Sequence, residues 1–172
     1  IELDLPDLSR AQQVIVLCET ATAMQGRRAE WQAVIHPPMA RMLEKADRVT
    51  TTELIEANAA REDYWARLRG VFQNYDVLAA PVTSVPGALS GTLGPREIGG
   101  FPARALAWLA FCVPANMTGQ PAASVPAGFT REGLPVGLQI LARPHDERTL
   151  LRLASACEAA WRWTDCWPTV AV

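Results

Sequence analysis

The first part of the chain carries apolar residues at helical spacing. Between residues 9 and 24 they recur at i, i+3, i+4 and i+7, the stripe of an amphipathic helix. Ser9 is the predicted N-cap of this helix, and Gly26 stands just beyond its end. The stripe consists of Val14, Leu17, Cys18 and Ala21.

Two further helices are predicted before residue 73. Pro37 and Pro38 interrupt the helical pattern, because two successive prolines force a fresh start. Thr50 and Glu53 have capping-box spacing and open a longer helix that we expect to end near Phe72. Helical spacing of apolar residues on either side of the proline pair is kept by Trp31, Val34, Ile35, Met39, Met42 and Leu43.

The second part of the chain carries short apolar runs bounded by Pro and Gly, which are typical of strands. Residues 122–125 and 136–141 are two such runs, and the polar residues 130–133 between them predict a hairpin-like turn. The run at 77–81 predicts a neighbouring strand, and residues 116–121 form a turn-rich elbow before the hairpin. From Asp146 an amphipathic helix is predicted, with a stripe of Leu150, Leu153, Ala154, Cys157 and Trp161.

These elements predict an α/β fold, a mixed β-sheet flanked by helices. We expect one domain over residues 1–172, since this length is short for two. Within it, residues 1–74 are mainly helical, residues 75–162 form the sheet with its helices, and residues 163–172 form an irregular tail.

A long connection precedes the elbow. Residues 82–102 contain five of the eleven glycines and predict a structureless loop that covers a cleft. They have neither the spacing nor the lysine of a phosphate-binding loop, so a nucleotide site is disfavoured. Residues 103–111 are apolar almost all round, which predicts a buried short helix or a pocket wall.

Composition and charge exclude several classes of function. Hydrophobic residues make up 49% of the chain and charged residues 20%, with a net charge of −2, so nothing favours nucleic-acid binding. No apolar run is long enough to span a membrane, and we expect a cytoplasmic protein. An exposed sheet or helix surface is expected to allow self-association into a homo-oligomer.

The cysteines and histidines do not predict a metal site or a cofactor. Their spacing fits neither a zinc pattern nor a redox pair, and we expect free thiols and no metal or cofactor. His36 and His145 each lie beside a proline, outside any Asp-His-Ser arrangement. The four cysteines are Cys18, Cys112, Cys157 and Cys166.

Several ordered motifs resemble the C-terminal part of the amidase signature family. Residues 116–129 read NMTGQPAASVPAGF, residues 133–139 read GLPVGLQ, and residues 146–151 read DERTLL at the start of a helix. Residues 75–82, YDVLAAPV, resemble the family segment that precedes them, so the resemblance covers roughly residues 61–161. It implies the C-terminal part of the amidase signature fold and an enzyme that hydrolyses a carboxylic amide.

The resemblance also implies that the reactive groups are missing from this chain. In the family, two serines and a lysine perform the chemistry, and they lie N-terminal to the portion matched here. The single lysine is Lys45, and none of the serines has a neighbouring serine. We therefore expect no catalytic residue here and an inactive chain on its own, contributing sheet scaffold and a pocket wall. The residues that the resemblance assigns to substrate binding are Phe111, Val113, Asn116 and Met117, with Trp108 as a weaker candidate.

Structural roles compete with each of these assignments. Phe111 and Val113 are equally well explained as core residues, and Asn116 as a turn former whose side chain bonds its own backbone. Ser124 is expected to be a small buried packing residue rather than a nucleophile. We expect Asp146 and Glu147 only to stabilise a helix N-terminus.

Three interpretations of the whole chain stay open. It is the C-terminal portion of an amidase acting on a small-molecule amide, a non-catalytic binding module that keeps half of the fold, or a degenerate fragment. Within the first, glutamine-dependent tRNA amidotransferase A subunits are similar across this region, but they commonly carry an acidic residue where this chain has Leu109. An apolar residue there favours an amide less polar than glutamine.

Overall fold

The computed structural model describes residues 1–32, 34–35, 37–103, 107–161, 163 and 166. The chain divides into two compact units, Ile1–Leu68 and Arg69–Val172. The helices are α1 Ser9–Ala23, α2 Arg28–Gln32, α3 Pro37–Ala46, α4 Thr51–Val71, a 3₁₀ helix Ala107–Cys112, α5 Val113–Thr118 and α6 Glu147–Ala160. The strands are β1 Val77–Pro81, β2 Glu97–Ile98, β3 Phe101–Pro102, β4 Ala122–Phe129 and β5 Pro135–Ala142.

The predicted helices of the first unit are confirmed, with two corrections. Val34 and Ile35, which were predicted to continue a helical pattern, lie beyond α2, because that helix ends at Gln32. The second correction concerns the start of α1. Leu8, rather than Ser9, is the N-cap residue and makes no side-chain cap. The carboxylate of Asp7, just before it, accepts a hydrogen bond from the backbone N–H of Ser9 at 2.8 Å. An Asp side chain satisfies a free N–H of the first turn as well as a Ser does. Within this unit α1 packs against α3. The buried residues of α1 are Ala11, Val14, Ile15 and Leu17.

The predicted capping box opens α4. The backbone N–H of Thr50 donates to Glu53 Oε2 at 2.9 Å, and the N–H of Glu53 donates to Thr50 Oγ1 at 3.2 Å. The Glu53 carboxylate also accepts a hydrogen bond from the Thr50 hydroxyl at 3.0 Å. The two bonds that it accepts from Thr50, first from the N–H and then from the hydroxyl, lower the pKa of Glu53 because they favour the charged form. Further along α4, burial raises the pKa of Tyr64. The capping box explains why α4 begins at Thr51.

An antiparallel sheet of three strands in the order β1-β5-β4 lies at the centre of the second unit. Its hairpin, β4 and β5, turns at residues 130–133 as predicted, with the N–H of Gly133 donating to the carbonyl of Thr130 at 3.0 Å. β1 pairs with β5 on the other side, which confirms the predicted third strand. The α/β class predicted from the sequence is confirmed.

Helix α6 covers one face of this sheet. Val125, Ile140, Ala142 and Leu150 form the buried cluster between them, and the predicted α6 stripe of Leu153, Ala154 and Cys157 packs against it. Asp146 caps α6 by accepting a hydrogen bond from the N–H of Thr149 at 3.2 Å. Trp161, predicted to belong to the stripe, lies just beyond the helix and is 43% exposed.

The connection over residues 82–102 contains a small hairpin, which corrects the prediction of a structureless loop. Strands β2 and β3 pair with each other in antiparallel register around Gly99 and Gly100. Both glycines have positive φ angles, 59° and 86°, as a two-residue hairpin turn requires. The paired Gly residues are therefore a turn signal.

The elbow before the hairpin also differs from its prediction. Residues 113–118 form a short helix, α5, so Asn116 lies inside a helix and not at the turn. The turn falls at Gly119, whose φ of 70° makes it the left-handed C-cap of α5. The preceding segment is a 3₁₀ helix in which none of the described residues is buried, so the prediction of a buried helix is wrong. The alternative prediction of a pocket wall stays a prediction. Residues 104–106 of that segment lie outside the described residues.

Candidate functional site

On the face of the sheet opposite α6, one buried glutamine lies beside small side chains. Because Leu138, Ile140 and Ala142 point towards α6, alternation along β5 directs Gln139 to the other face. Gln139 is in register with Ala80 of β1 and with Ser124 of β4. The small side chains beside Gln139 leave room for backbone to approach it.

The backbone that approaches Gln139 belongs to the 3₁₀ helix. Gln139 Nε2 donates a hydrogen bond to the carbonyl oxygen of Phe111 at 2.7 Å. Gln139 is only 6% exposed, and the bond to the Phe111 carbonyl is partly buried. A buried side-chain amide that lacked this partner would lose free energy, which makes the contact specific.

Three more hydrogen bonds tie the 3₁₀ helix to the segment that follows β1. The Cys112 thiol donates to the Val82 carbonyl at 3.3 Å, and the N–H of Ser84 donates to the Trp108 carbonyl at 2.9 Å. The indole Nε1 of Trp108 donates to the carbonyl of Leu93 at 3.1 Å. Both ends of the 3₁₀ helix are therefore fixed to neighbouring backbone.

Gly137 allows the sheet and the loop after β1 to pack closely. A Cβ atom on Gly137 would lie 2.8 Å from Val82 Cγ2 and 3.0 Å from Ser124 Oγ. The N–H of Val82 donates to the Gly137 carbonyl at 3.1 Å. The absence of a side chain at this position is thus a steric requirement.

The far end of α5 is fixed to the sheet by a second buried glutamine. Gln120 Nε2 donates to the Ala142 carbonyl at 3.3 Å, and Gln120 is 6% exposed. The N–H of Ala142 donates to the Pro121 carbonyl at 3.0 Å. Between the two glutamines, α5 is held to β5 at both its entrance and its exit.

The structure brings the four predicted substrate-binding residues onto one continuous helical segment. Phe111 is 40% exposed and precedes α5, while Val113 is half-buried at its first position. Asn116 is exposed and Met117 is 8% exposed, so the two neighbours differ in accessibility. Trp108 and Leu109 are half-buried in the 3₁₀ helix.

Ser124 is exposed, which corrects the prediction of a buried packing residue. The alternation along β4 directs its side chain to the face that α6 leaves open, and the strand pattern did not reveal which face is covered. No described residue hydrogen-bonds the Ser124 hydroxyl. A serine without a hydrogen-bonded base is not activated as a nucleophile.

The remaining titratable candidates offer no second site. Asp146 has a lowered pKa because it accepts hydrogen bonds from Thr149, as expected of a helix cap. His145 is exposed with a φ of 63°, and His36 lies outside the described residues. Among the described residues, no cluster of His, Cys, Asp and Glu is arranged to hold a metal ion, and no helix is long and apolar enough to cross a membrane. Cys18, Cys112, Cys157 and Cys166 are free thiols.

The two buried glutamines and Gly137 were missed by sequence reasoning. For Gln139 the sequence did contain a signal of a buried polar contact, because it is a polar residue inside the otherwise apolar run 136–141. On the face of the sheet that α6 does not cover, these residues and the helical segment 107–118 form the candidate site.

Comparisons with known proteins agree on one family. The family profile described as Amidase matches residues 8–151. An acylamidase of Rhodococcus erythropolis is 37% identical over 126 residues, which are 72% of this chain and 26% of that protein. The A subunit of the glutamyl-tRNA(Gln) amidotransferase of Myxococcus xanthus is 43% identical over 98 residues, which are 57% of this chain and 18% of that protein.

A solved structure agrees with this. The crystal structure of a bacterial aryl acylamidase of the amidase signature enzymes superposes with a TM-score of 0.82 at 26% identity, covering 96% of this chain and 36% of that one. The matched part of this chain thus covers only 18–36% of the length of these similar proteins. Profile, sequence relatives and fold together establish that this chain belongs to the amidase family.

Proposed function

We propose that this chain is the C-terminal part of an amidase that hydrolyses a carboxylic amide to an acid and ammonia or an amine. In this proposal the chain supplies sheet scaffold and one wall of the amide-binding pocket. A Ser-Ser-Lys set outside the chain performs the acyl transfer. The single observation that carries the proposal is the match of the amidase profile over residues 8–151 in a chain whose only lysine is Lys45.

The geometry around Ser124 supports the absence of a catalytic group. Hydrolysis through an acyl-enzyme needs a nucleophile beside a base and donors for the oxyanion. Ser124 is exposed but lacks a hydrogen-bonded base among the described residues. We therefore expect the 172-residue chain to be inactive by itself.

The pocket wall that we propose is the segment from the 3₁₀ helix into α5. Phe111 and Asn116 are exposed on it, and Val113 is half-buried between them. An aromatic ring and an aliphatic side chain suit the apolar part of an amide, while a side-chain amide can hydrogen-bond its polar end. Met117 is 8% exposed, so in this proposal it contributes less accessible surface to the wall than Phe111 does.

The amide that we propose is less polar than glutamine. Leu109 is half-buried in the 3₁₀ helix, and an apolar residue there offers no carboxylate to an incoming amine. The acylamidase of Rhodococcus erythropolis and the bacterial aryl acylamidase, both similar to this chain, have names that indicate acyl amides. An amidotransferase-like use of glutamine is the second candidate, favoured by the 43% identity to the Myxococcus xanthus protein.

Product release from three amides tests the proposal. The 172-residue chain and the complete protein that contains it are incubated with an anilide, an aliphatic amide and glutamine. We expect the complete protein to release aniline faster than it releases ammonia from glutamine, and the chain alone to release neither. Turnover by the chain alone that is lost in Ser124→Ala would contradict the proposal, as would a complete protein inactive on all three. Preference for glutamine would favour the second candidate.

A further inference from the structure

We propose, on the basis of the proposed function above, that Gln139 is a positioning residue that sets the acyl-group preference of the pocket by fixing the Phe111 carbonyl. The bond from Gln139 Nε2 to that carbonyl is 2.7 Å long and joins residues 28 positions apart in the chain. Gln139 does not face the substrate in this proposal. It acts through the helical segment that carries Phe111 and Val113.

The chemistry of Gln139 is hard to explain by packing alone. It lies between the apolar residues Leu138 and Ile140, and it is 6% exposed. In the described part of the chain, the buried polar residues are Gln139 and Gln120. An apolar side chain of the same length would fill this space without the cost of desolvating an amide. An apolar side chain could not donate the hydrogen bond to the Phe111 carbonyl.

The surroundings of Gln139 are shaped for this contact. Its register neighbours on the same face, Ala80 and Ser124, are small, so the 3₁₀ helix can bring its backbone within hydrogen-bonding distance. Gly137, two residues earlier on β5, leaves space for Val82, whose carbonyl accepts the Cys112 thiol. The donors from Gln139 and Cys112 therefore hold two consecutive residues at the end of the 3₁₀ helix.

Fixing this point fixes the start of α5. Carbonyls near the end of a helix are commonly bound by a group outside it. Gln139 is such a group for the carbonyl of Phe111. α5 begins at Val113, two residues after the bound carbonyl, so the Gln139 contact orients the entrance of the proposed wall. Gln120 holds the opposite end of α5 through the Ala142 carbonyl. Small displacements of a binding wall, of the order of 1 Å, are enough to weaken binding strongly.

The first test compares two acyl groups in the complete protein. Gln139→Met keeps the length of the side chain and removes the donor. We expect it to raise KM for a phenylacetyl anilide about tenfold relative to acetanilide, a change equivalent to about 1.4 kcal/mol, with kcat changed less than about twofold. Asn58→Leu is the control, because it removes a side-chain amide whose 2.8 Å hydrogen bond to the Leu54 carbonyl lies within α4. We expect an unchanged ratio of KM values in this variant.

The second test restores the donor by protonation. In Gln139→Glu the carboxylate cannot donate to the Phe111 carbonyl, but the carboxylic acid can. Burial raises the pKa of such a glutamate, so lowering the pH from about 8 to about 5 should return the KM ratio towards the wild-type value. The ratio in Gln139→Met should not respond to pH. The protonated glutamate keeps the donor. The Gln139→Glu variant therefore still tests the role of Gln139 if Gln139→Met does not fold.

The third test does not need activity. In the 172-residue chain, hydrogen–deuterium exchange of residues 107–118 should become faster in Gln139→Met, while exchange of residues 150–157 in α6 stays unchanged. Equal exchange in the two proteins, or an unchanged KM ratio, would overturn the role of Gln139 and leave the proposed function intact. A wild-type complete protein that hydrolyses no amide would overturn both.

Discussion

The Arg143 guanidinium joins residues 71 positions apart by donating from Nε to the carbonyl of Phe72 at 3.1 Å. Its Nη2 donates to the Tyr75 carbonyl at 3.3 Å and lies 3.0 Å from a carboxylate oxygen of Asp76. These contacts fasten the end of β5 to the turn between α4 and β1. Arg143 therefore defines where β1 enters the sheet.

Removal of this guanidinium should destabilise the protein. We expect Arg143→Met to lower the free energy of unfolding by about 1–3 kcal/mol, because two carbonyls lose charged donors. Arg143→Lys should recover only part of this, since one ammonium cannot reproduce the planar set of donors. Chemical denaturation monitored by circular dichroism measures both variants.

The carbonyl contacts, and not the ion pair, should account for the effect. Asp76 has a side chain that is 78% exposed, and exposed ion pairs contribute about 0–1 kcal/mol. Asp76→Asn is therefore expected to be nearly neutral. An Asp76→Asn variant as unstable as Arg143→Met would show that the ion pair dominates instead.

A side chain at position 137 should disrupt the packing between the sheet and the loop after β1. Gly137→Ala places a Cβ 2.8 Å from Val82 Cγ2, so we expect a loss of about 1–3 kcal/mol in unfolding free energy. Gly70→Ala is the matched control, because nothing lies within 4 Å of its Cβ position and it occupies a helix. That change should stabilise the protein by about 0.5–1 kcal/mol.

The clash can be located by a compensating substitution. Val82→Ala shortens the side chain that Gly137→Ala meets, so the double variant should be more stable than the sum of the two single changes predicts. Strict additivity of the two changes, measured by denaturation, would place the strain elsewhere.

Much of the fold was predictable because its signals are local. The capping box at Thr50 and Glu53, the polar turn at 130–133 and the stripe of α6 each lie within a few residues. Each was confirmed, the stripe as far as Cys157. The β2–β3 hairpin was equally local. Its turn signal, Gly99–Gly100, was not recognised because the long connection contains several other glycines.

Other features depend on partners distant in the sequence. Gln139 acquires its role from Phe111, 28 positions away, and Ser124 is exposed because α6 covers only the opposite face of the sheet. α5 is six residues long, which is too short for a periodic pattern of apolar residues to predict it. The assignment of Phe111, Val113, Asn116 and Met117 to substrate binding came from resemblance and stays a prediction.

The capping box should make stability depend on pH. The pKa of Glu53 is lowered in the folded protein, chiefly by the hydrogen bond from the Thr50 N–H. Its contribution is therefore fully present above the ordinary glutamate pKa of about 4.3, and it is lost as the pH falls through the lowered folded value. Glu53→Gln keeps an acceptor oxygen, but its side chain does not titrate in this pH range.

Thermal unfolding between pH 7 and pH 3 measures this contribution. The Tm of the wild type should exceed that of Glu53→Gln at pH 7, and the difference should shrink below about pH 4. Glu56→Gln, on the exposed surface of the same helix, controls for the loss of one negative charge. A Tm difference that is constant over the whole range would refute the linkage.

Phe111 should matter for substrate and not for folding. With 40% of its surface exposed, Phe111→Ala is expected to cost little stability but to reduce kcat/KM of the complete protein for an anilide by roughly tenfold or more. Phe129 is the matched control, since it is 50% exposed at the hairpin end of β4. Phe129→Ala should leave kcat/KM within about twofold; equal losses in the two variants would argue against a specific wall at Phe111.

The most direct measurement of the central claim is photo-crosslinking of the complete protein with an anilide that carries a diazirine on its acyl group. The account predicts that the label falls on the tryptic peptide 105–131, within residues 111–117, and that excess unlabelled anilide suppresses it. Label that competes with anilide but lies entirely outside that peptide would contradict the account.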